Sequence, residues 1–266
     1  MLHVDNWLQI MNYKIILRSL DEIIPTKPDV CIILGSGLND FCNRLTDKKE
    51  IPYNKIDGFK NNNIEGHSGK FIFGFLNNIP ILCASGRLHY YEGYTFNQVG
   101  IIIKLFYHYK PKIYLITNSS GTVRKKWNIG DFMLSKQIID FSFIKNNKPE
   151  YYLLDDKYLN KMKNINIDNY KLRIGTYTYT IGPTYETKEE IKEIRSLNGD
   201  IVGMSTFPEY LMCKKLKINP IILSCITNYA AGIKNFSVKH SHVIKNAKDA
   251  RLNFSDLLNK TINEYI

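Results

Sequence analysis

Glu186 and Asn228 carry the first chemical signal in this chain. Glu186 lies in Gly182-Pro183-Thr184-Tyr185-Glu186-Thr187, and Asn228 in Ser224-Cys225-Ile226-Thr227-Asn228-Tyr229-Ala230-Ala231-Gly232. A carboxylate only accepts hydrogen bonds, whereas a carboxamide both donates and accepts. The pair suits a heterocycle that offers a protonated ring nitrogen to one and an acceptor to the other, as a purine with an oxygen at C6 does. Read singly, Glu186 is equally a carboxylate at a helix start beside Thr187, and Asn228 a strand-end turn residue.

A second group of residues suits an anion. Gly35-Ser36-Gly37 follows the apolar run Val30 to Leu34. Glycines after a strand let backbone N–H groups approach an anion, and Ser36 adds a hydroxyl. A glycine turn of this kind is more often only a turn, and the chain has no GxxxxGK[ST] motif, which disfavours a P-loop. Arg87 and His89 stand two apart in Gly86-Arg87-Leu88-His89-Tyr90-Tyr91-Glu92-Gly93-Tyr94. Arg87 offers a fork of donors for phosphate oxygens, and on a strand His89 would share its face. Taken alone, a surface arginine and a core histidine explain that pair as well.

The elements that must position these residues alternate between strands and helices, which defines an α/β class. Apolar spacing predicts a helix over 5–24, ending before Pro25, and a helix from Phe96 to Tyr107 closed by Pro111. It also predicts helices over Thr187–Leu197, Pro208–Leu216 and His240–Glu264. Short apolar runs predict buried strands at Val30–Leu34, Ile113–Thr117, Ile138–Asp140, Ile201–Gly203 and Ile221–Thr227. Phe71–Leu76 and Ile79–Ala84 flank Asn77-Asn78 and predict a hairpin, which makes the sheet mixed. Asn146–Pro149 and Lys161–Asn169 read as surface loops. No linker or repeat divides residues 1–266, so a single domain is expected, with a mixed twisted sheet flanked by helices.

Composition narrows the classes further. The chain is 44% apolar, enough for a sizeable core, and has no run of apolar residues long enough to span a bilayer. Met1-Leu2-His3-Val4-Asp5-Asn6 shows no basic segment leading into an apolar one, so no signal peptide and a cytoplasmic protein are expected. Cys31, Cys42, Cys83, Cys213 and Cys225 form no CxxC pair, and free core thiols are expected rather than disulfides or a metal site. The formal charge of +11 raises the question of nucleic acid. The lysines are spread along the chain and the densest cluster is Arg124-Lys125-Lys126, so no nucleic-acid partner is expected. A positive field can still gather small anions.

In order and spacing these segments, with Gly66-His67-Ser68-Gly69-Lys70, Thr117-Asn118-Ser119-Ser120-Gly121 and Val202-Gly203-Met204-Ser205-Thr206-Phe207-Pro208-Glu209, resemble the trimeric, low-molecular-mass class of purine nucleoside phosphorylases. The resemblance runs from about Val30 to about Val243. It implies phosphate binding by Ser36, His67, Arg87, His89, Ser119 and Ser205, and ribose contacts from Tyr91, Met204 and His240. The last helix also offers His242, but the register of Val243 selects His240. The resemblance places the purine on Tyr185, Glu186 and Asn228, with catalysis by Asn228, Glu186 and His89. It implies reversible phosphorolysis of 6-oxopurine ribonucleosides or 2′-deoxyribonucleosides with phosphate as co-substrate, no metal or organic cofactor, and a homotrimer.

Two departures from the family pattern bear on this. Thr122 stands where the family usually has a second glycine, and it would be strained if that position takes a positive φ. Residues 141–160 are shorter than the family insert whose phenylalanine reaches a neighbouring subunit, and Tyr151 or Tyr152 is the candidate replacement. Two other functions stay open: a 5′-methylthioadenosine phosphorylase, whose branch typically has aspartate at the Asn228 position, and an inactive nucleoside-binding relic.

Overall fold

Strand β1 (Val30–Leu34) shows how the fold is built. All five of its residues are buried, with Cys31 and Ile33 facing one hydrophobic core and Val30, Ile32 and Leu34 another. A strand covered on both faces needs apolar residues at every position, which is why the sequence shows a continuous run there. The computed structural model describes residues 13–59, 69–162, 165, 170–234 and 240–266. Residues 5–12 of the first predicted helix lie outside them.

Among the described residues the sheet has ten strands. The others are β2 (Thr46–Pro52), β3 (Lys70–Leu76), β4 (Ile79–Ser85), β5 (Ile113–Thr122), β6 (Phe132–Asp140), β7 (Glu150–Leu153), β8 (Leu172–Tyr179), β9 (Ile201–Gly203) and β10 (Ile221–Tyr229). β1 lies between β4 and β5, parallel to both. The β3–β4 hairpin turns through Asn77 (φ 50°) and Asn78 (φ 64°), left-handed conformations that asparagine tolerates in two-residue loops. β10 pairs with both β5 and β6, and β8 and β9 link β6 back to β5. The mixed sheet expected from the sequence therefore closes on itself over part of its width.

Helices cover the sheet. They are α1 (Tyr13–Asp21), α2 (Phe96–Val99), α3 (Ile101–Tyr109), α4 (Leu159–Met162), α5 (Lys188–Ser196), α6 (Phe207–Lys215) and α7 (His240–Tyr265). The single helix expected over 96–107 is two, meeting at Gly100, where ψ opens to 0°. A side chain there would strike Met212 of α6, so the backbones approach too closely for a larger residue. α7 lays Ala247, Ala250, Phe254, Leu257, Leu258 and Ile262 into the core at helical spacing. α5 begins at the Thr187 cap, where Thr187 and Glu190 form a reciprocal capping box. The five cysteines are free and buried, as expected.

Candidate active site

The C-terminal ends of β5, β9 and β10 meet the loop after β1 and the loop after β4 in one cleft. Ser36, Arg87, His89, Tyr91, Ser119, Tyr185, Glu186, Met204, Ser205 and Asn228, all expected site residues, line it. His67 lies outside the described residues. His240 begins α7, but its side chain is also outside them. The cleft encloses about 690 Å³ out to its open mouth, a size that accepts a nucleoside with an anion beside it.

At the anion end, Ser119 Oγ donates to the Ser36 carbonyl at 2.8 Å, tying the end of β5 to the glycine turn. Gly35 is required by a close approach: a Cβ there would stand 2.7 Å from Asn118 Cα. Arg87 and His89 do not lie on a strand, because β4 ends at Ser85. Arg87 is held instead by tertiary contacts, and His89 by the short helical turn that it caps. Arg87 is 1% exposed, and its Nη2 donates to the Thr117 carbonyl while Nη1 donates to Ser205 Oγ at 3.1 Å and Thr206 Oγ1 at 3.3 Å. Having accepted from Arg87, the Ser205 hydroxyl can donate its own proton to an anion. Tyr177 OH, bonded to the Ser205 carbonyl at 2.8 Å, fixes the same residue from behind.

His89 Nδ1 lies 2.9 Å from Glu92 Oε1, which also accepts from the His89 amide at 2.7 Å. Glu92 is pushed up by burial and pulled back by that amide. A carboxylate only accepts, so the Nδ1 position carries the proton. The imidazole stacks on Tyr91 at 4.8 Å between ring centres. Tyr91 and Met204 both crowd Gly182, where a Cβ would stand 2.5 Å from Met204 Sδ. Their apolar surfaces form the middle of the cleft.

At the other end, Glu186 Oε1 accepts from Thr180 Oγ1 at 2.7 Å. Burial raises the Glu186 carboxyl above the ordinary carboxylate range, with the Thr180 hydroxyl acting against that rise. Glu186 takes no part in the Thr187–Glu190 cap, so the plainer helix-start reading does not hold. Asn228 belongs to β10, not to a turn. A bulge between Ile226 and Asn228 shifts the β5–β10 register and sets Asn228 against Gly121. Bulges commonly re-aim a side chain beside a site. Asn228 Oδ1 accepts from the Thr227 hydroxyl at 3.1 Å and Nδ2 donates to the Tyr229 carbonyl at 3.3 Å, which leaves the second N–H of the amide as the donor for a ligand. Tyr185 is 37% exposed and forms the mouth.

The concern over Thr122 is removed. It is the last residue of β5, is not among the residues of positive φ, is fully buried, and its hydroxyl donates to the Asp200 carbonyl at 3.3 Å. The strained residue is Thr206, at φ 75° and ψ −43°, spanned by a Phe207 N–H to Ser205 carbonyl bond of 2.8 Å. This is a γ-turn, rare for a β-branched residue. Its hydroxyl repays the strain by accepting from Arg87 and, at 2.8 Å, from Asn118 Nδ2. Sequence reasoning missed Thr180, Glu92, Thr206 and Glu209. Only the Glu92 spacing, three residues after His89, offered a local signal. Tyr152 packs on Phe207 and Tyr210 of its own subunit, with ring centres 5.2 and 5.9 Å away. That leaves Tyr151, half exposed, as the aromatic available to a neighbour.

An anion pole and a heterocycle pole joined by an apolar saddle, on a mixed and partly closed sheet, define an enzyme that exchanges a sugar between a nitrogen base and an oxyanion. The family model of the Phosphorylase superfamily matches residues 29–263. The chain is 31% identical to purine nucleoside phosphorylase 1 of Geobacillus stearothermophilus over 88% of its own length and 90% of that protein's. It is 31% identical to the Rattus norvegicus purine nucleoside phosphorylase over 81% of each. The Schistosoma mansoni purine nucleoside phosphorylase in complex with inosine superposes with a TM-score of 0.81 at 26% identity, over 95% of this chain and 96% of that one. A Schistosoma mansoni purine nucleoside phosphorylase in complex with adenosine gives 0.82 at 27% and the same coverage. The chain belongs to the phosphorylase superfamily, among its low-molecular-mass purine nucleoside phosphorylases.

Proposed function

We propose that the chain catalyses reversible phosphorolysis of 6-oxopurine ribonucleosides and 2′-deoxyribonucleosides, giving the free base and the pentose 1-phosphate. The observation that carries this is the placing of Glu186 and Asn228 in one cleft with Ser36, His89, Ser119 and Ser205. As the glycosidic bond stretches, positive charge gathers on the sugar and negative charge on the leaving purine. Phosphate, held by Ser36, Arg87, His89, Ser119 and Ser205, stabilises the sugar cation and then bonds to its anomeric carbon. Asn228 donates to N7 or O6 of the purine, and ionised Glu186 accepts from N1–H. Fixed dipoles at both ends of the breaking bond are preorganised stabilisation, and binding both reactants together lowers the entropic cost. Tyr91 and Met204 hold the ribose, with His240 reaching its 5′ end. Tyr185 covers the base. The reading assigns no step to a metal or organic cofactor. It places the protein in purine salvage in the cytoplasm, with no nucleic-acid or membrane partner. Among the described residues, no helix is long and apolar enough to cross a membrane.

The assembly proposed is a homotrimer. Phe143, Ile144, Tyr151 and Leu153 are large apolar residues left exposed on one stretch of chain, a pattern that marks interfaces. Tyr151 would then cover the neighbour's sugar.

Hypoxanthine release from inosine, with and without phosphate, tests the reaction. Release that depends on phosphate, and that is faster from inosine than base release from adenosine, is expected. Asn228→Asp should lose inosine activity and gain some adenosine activity, because a buried hydrogen-bonding site rejects a mismatched edge strongly. Full-rate hydrolysis in phosphate-free buffer would replace phosphorolysis with hydrolysis. Adenosine cleaved faster than inosine by the unaltered chain would overturn the base assignment.

A further inference from the structure

We propose that Glu209 is an internal counter-ion that competes with inorganic phosphate for Arg87, and so sets how tightly the empty site takes up its co-substrate. The inference rests on the reading of the cleft as a phosphate site.

Glu209 lies in the first turn of α6 and is fully buried, and Arg87 beside it is 1% exposed. A guanidinium keeps its charge, and a charge removed from water is costly unless an opposite charge accompanies it. Glu209 Oε1, 3.4 Å from Arg87 Nη1, supplies that charge. A structural arginine–carboxylate pair is usually bidentate, at about 2.7–2.9 Å. Here the contact is longer, and Arg87 Nη2 turns instead to the Thr117 carbonyl. No well-formed hydrogen bond reaches either Glu209 oxygen among the described residues. Burial raises the Glu209 carboxyl, while Arg87 and, more weakly, the amides of Glu209 and Thr206 pull it down. The carboxylate is thus close enough to neutralise Arg87 yet not locked to it.

One nitrogen of the guanidinium serves both groups. Nη1 reaches Ser205 Oγ, which lines the cleft, and Glu209 Oε1, which does not. An anion beside Ser205 therefore meets an arginine whose charge Glu209 already balances. The attraction it feels is reduced by the repulsion of the Glu209 carboxylate, which acts over a few ångströms of dry protein. A site built this way binds phosphate less tightly than its donors alone would allow.

The test titrates inorganic phosphate into the full-length chain by calorimetry, without nucleoside, and follows thermal unfolding with and without phosphate. Glu209→Gln keeps the shape and removes the charge. Its phosphate Kd should fall about tenfold or more, since one buried charge at this range is worth at least that factor. Without phosphate its Tm should drop, and phosphate should raise the Tm further than in the unaltered chain, since only the folded site binds it. Glu209→Asp draws the carboxylate back by one methylene and should tighten phosphate by a smaller factor, which provides the reading if the Gln variant does not fold. Unchanged or weaker phosphate binding in the folded variants would overturn the proposal and make Glu209 a support for Arg87. Absence of phosphate binding by the unaltered chain would instead remove the phosphate-site reading itself.

Discussion

Thr180 shows how a neutral residue can control a charged one. Its hydroxyl donates to Glu186 Oε1 at 2.7 Å and so holds the carboxylate from one side. A protonated Glu186 cannot accept from N1–H. Because burial raises its carboxyl, nucleoside kcat/KM should hold at neutral pH and fall as pH drops through a value above the ordinary carboxylate range. Thr180→Val removes a bond to the charged form. It should cost roughly 1.5–3 kcal/mol in nucleoside kcat/KM and move the acid limb to higher pH. Parallel pH profiles of the two proteins check this, and a limb that does not move would make Thr180 a packing residue only. Glu186 was legible from its motif, but Thr180 was not. Nothing in Tyr179-Thr180-Ile181 marks a hydroxyl that folds back onto a residue six positions on.

At the scale of elements, the β5–β10 pair decides where the Asn228 amide sits. The bulge between Ile226 and Asn228 brings Asn228 opposite Gly121, whose missing side chain leaves room for the amide. A Cβ on Gly121 would stand 2.8 Å from Asn228 Nδ2. Gly121→Ala should therefore raise the nucleoside KM severalfold and leave the phosphate KM unchanged, which steady-state kinetics in both substrates would show. Equal changes in both would mean that the whole end of β5 had moved. The strands themselves were readable where they are buried on both faces, as in β1 and the Ile113–Thr117 part of β5. β2, with five exposed polar residues before Ile51 and Pro52, gave no apolar pattern and was missed. β8 was missed as well, because Arg173, Gly175 and its threonines dilute its apolar signal.

On the scale of the whole molecule, the exposed Tyr151–Leu153 edge concerns assembly. Leu153 is 77% exposed on a strand that, among the described residues, has only β6 beside it. Leu153→Glu should turn a trimeric mass in light scattering into a monomeric one, and an unchanged trimer would move the interface elsewhere. By itself the sequence determined the α/β class, the buried strands, the free core thiols and the residue types at both poles of the cleft. These follow from local order: apolar runs, turn residues and motifs that keep their identity in an unfolded chain. The tertiary structure alone decided that Arg87 is buried against Glu209, that Glu186 is held by Thr180, that strain lies at Thr206 rather than Thr122, and that Tyr152 turns inward. Each of these joins side chains from different elements or fixes a backbone angle by its surroundings. Such contacts exist only once the sheet has closed.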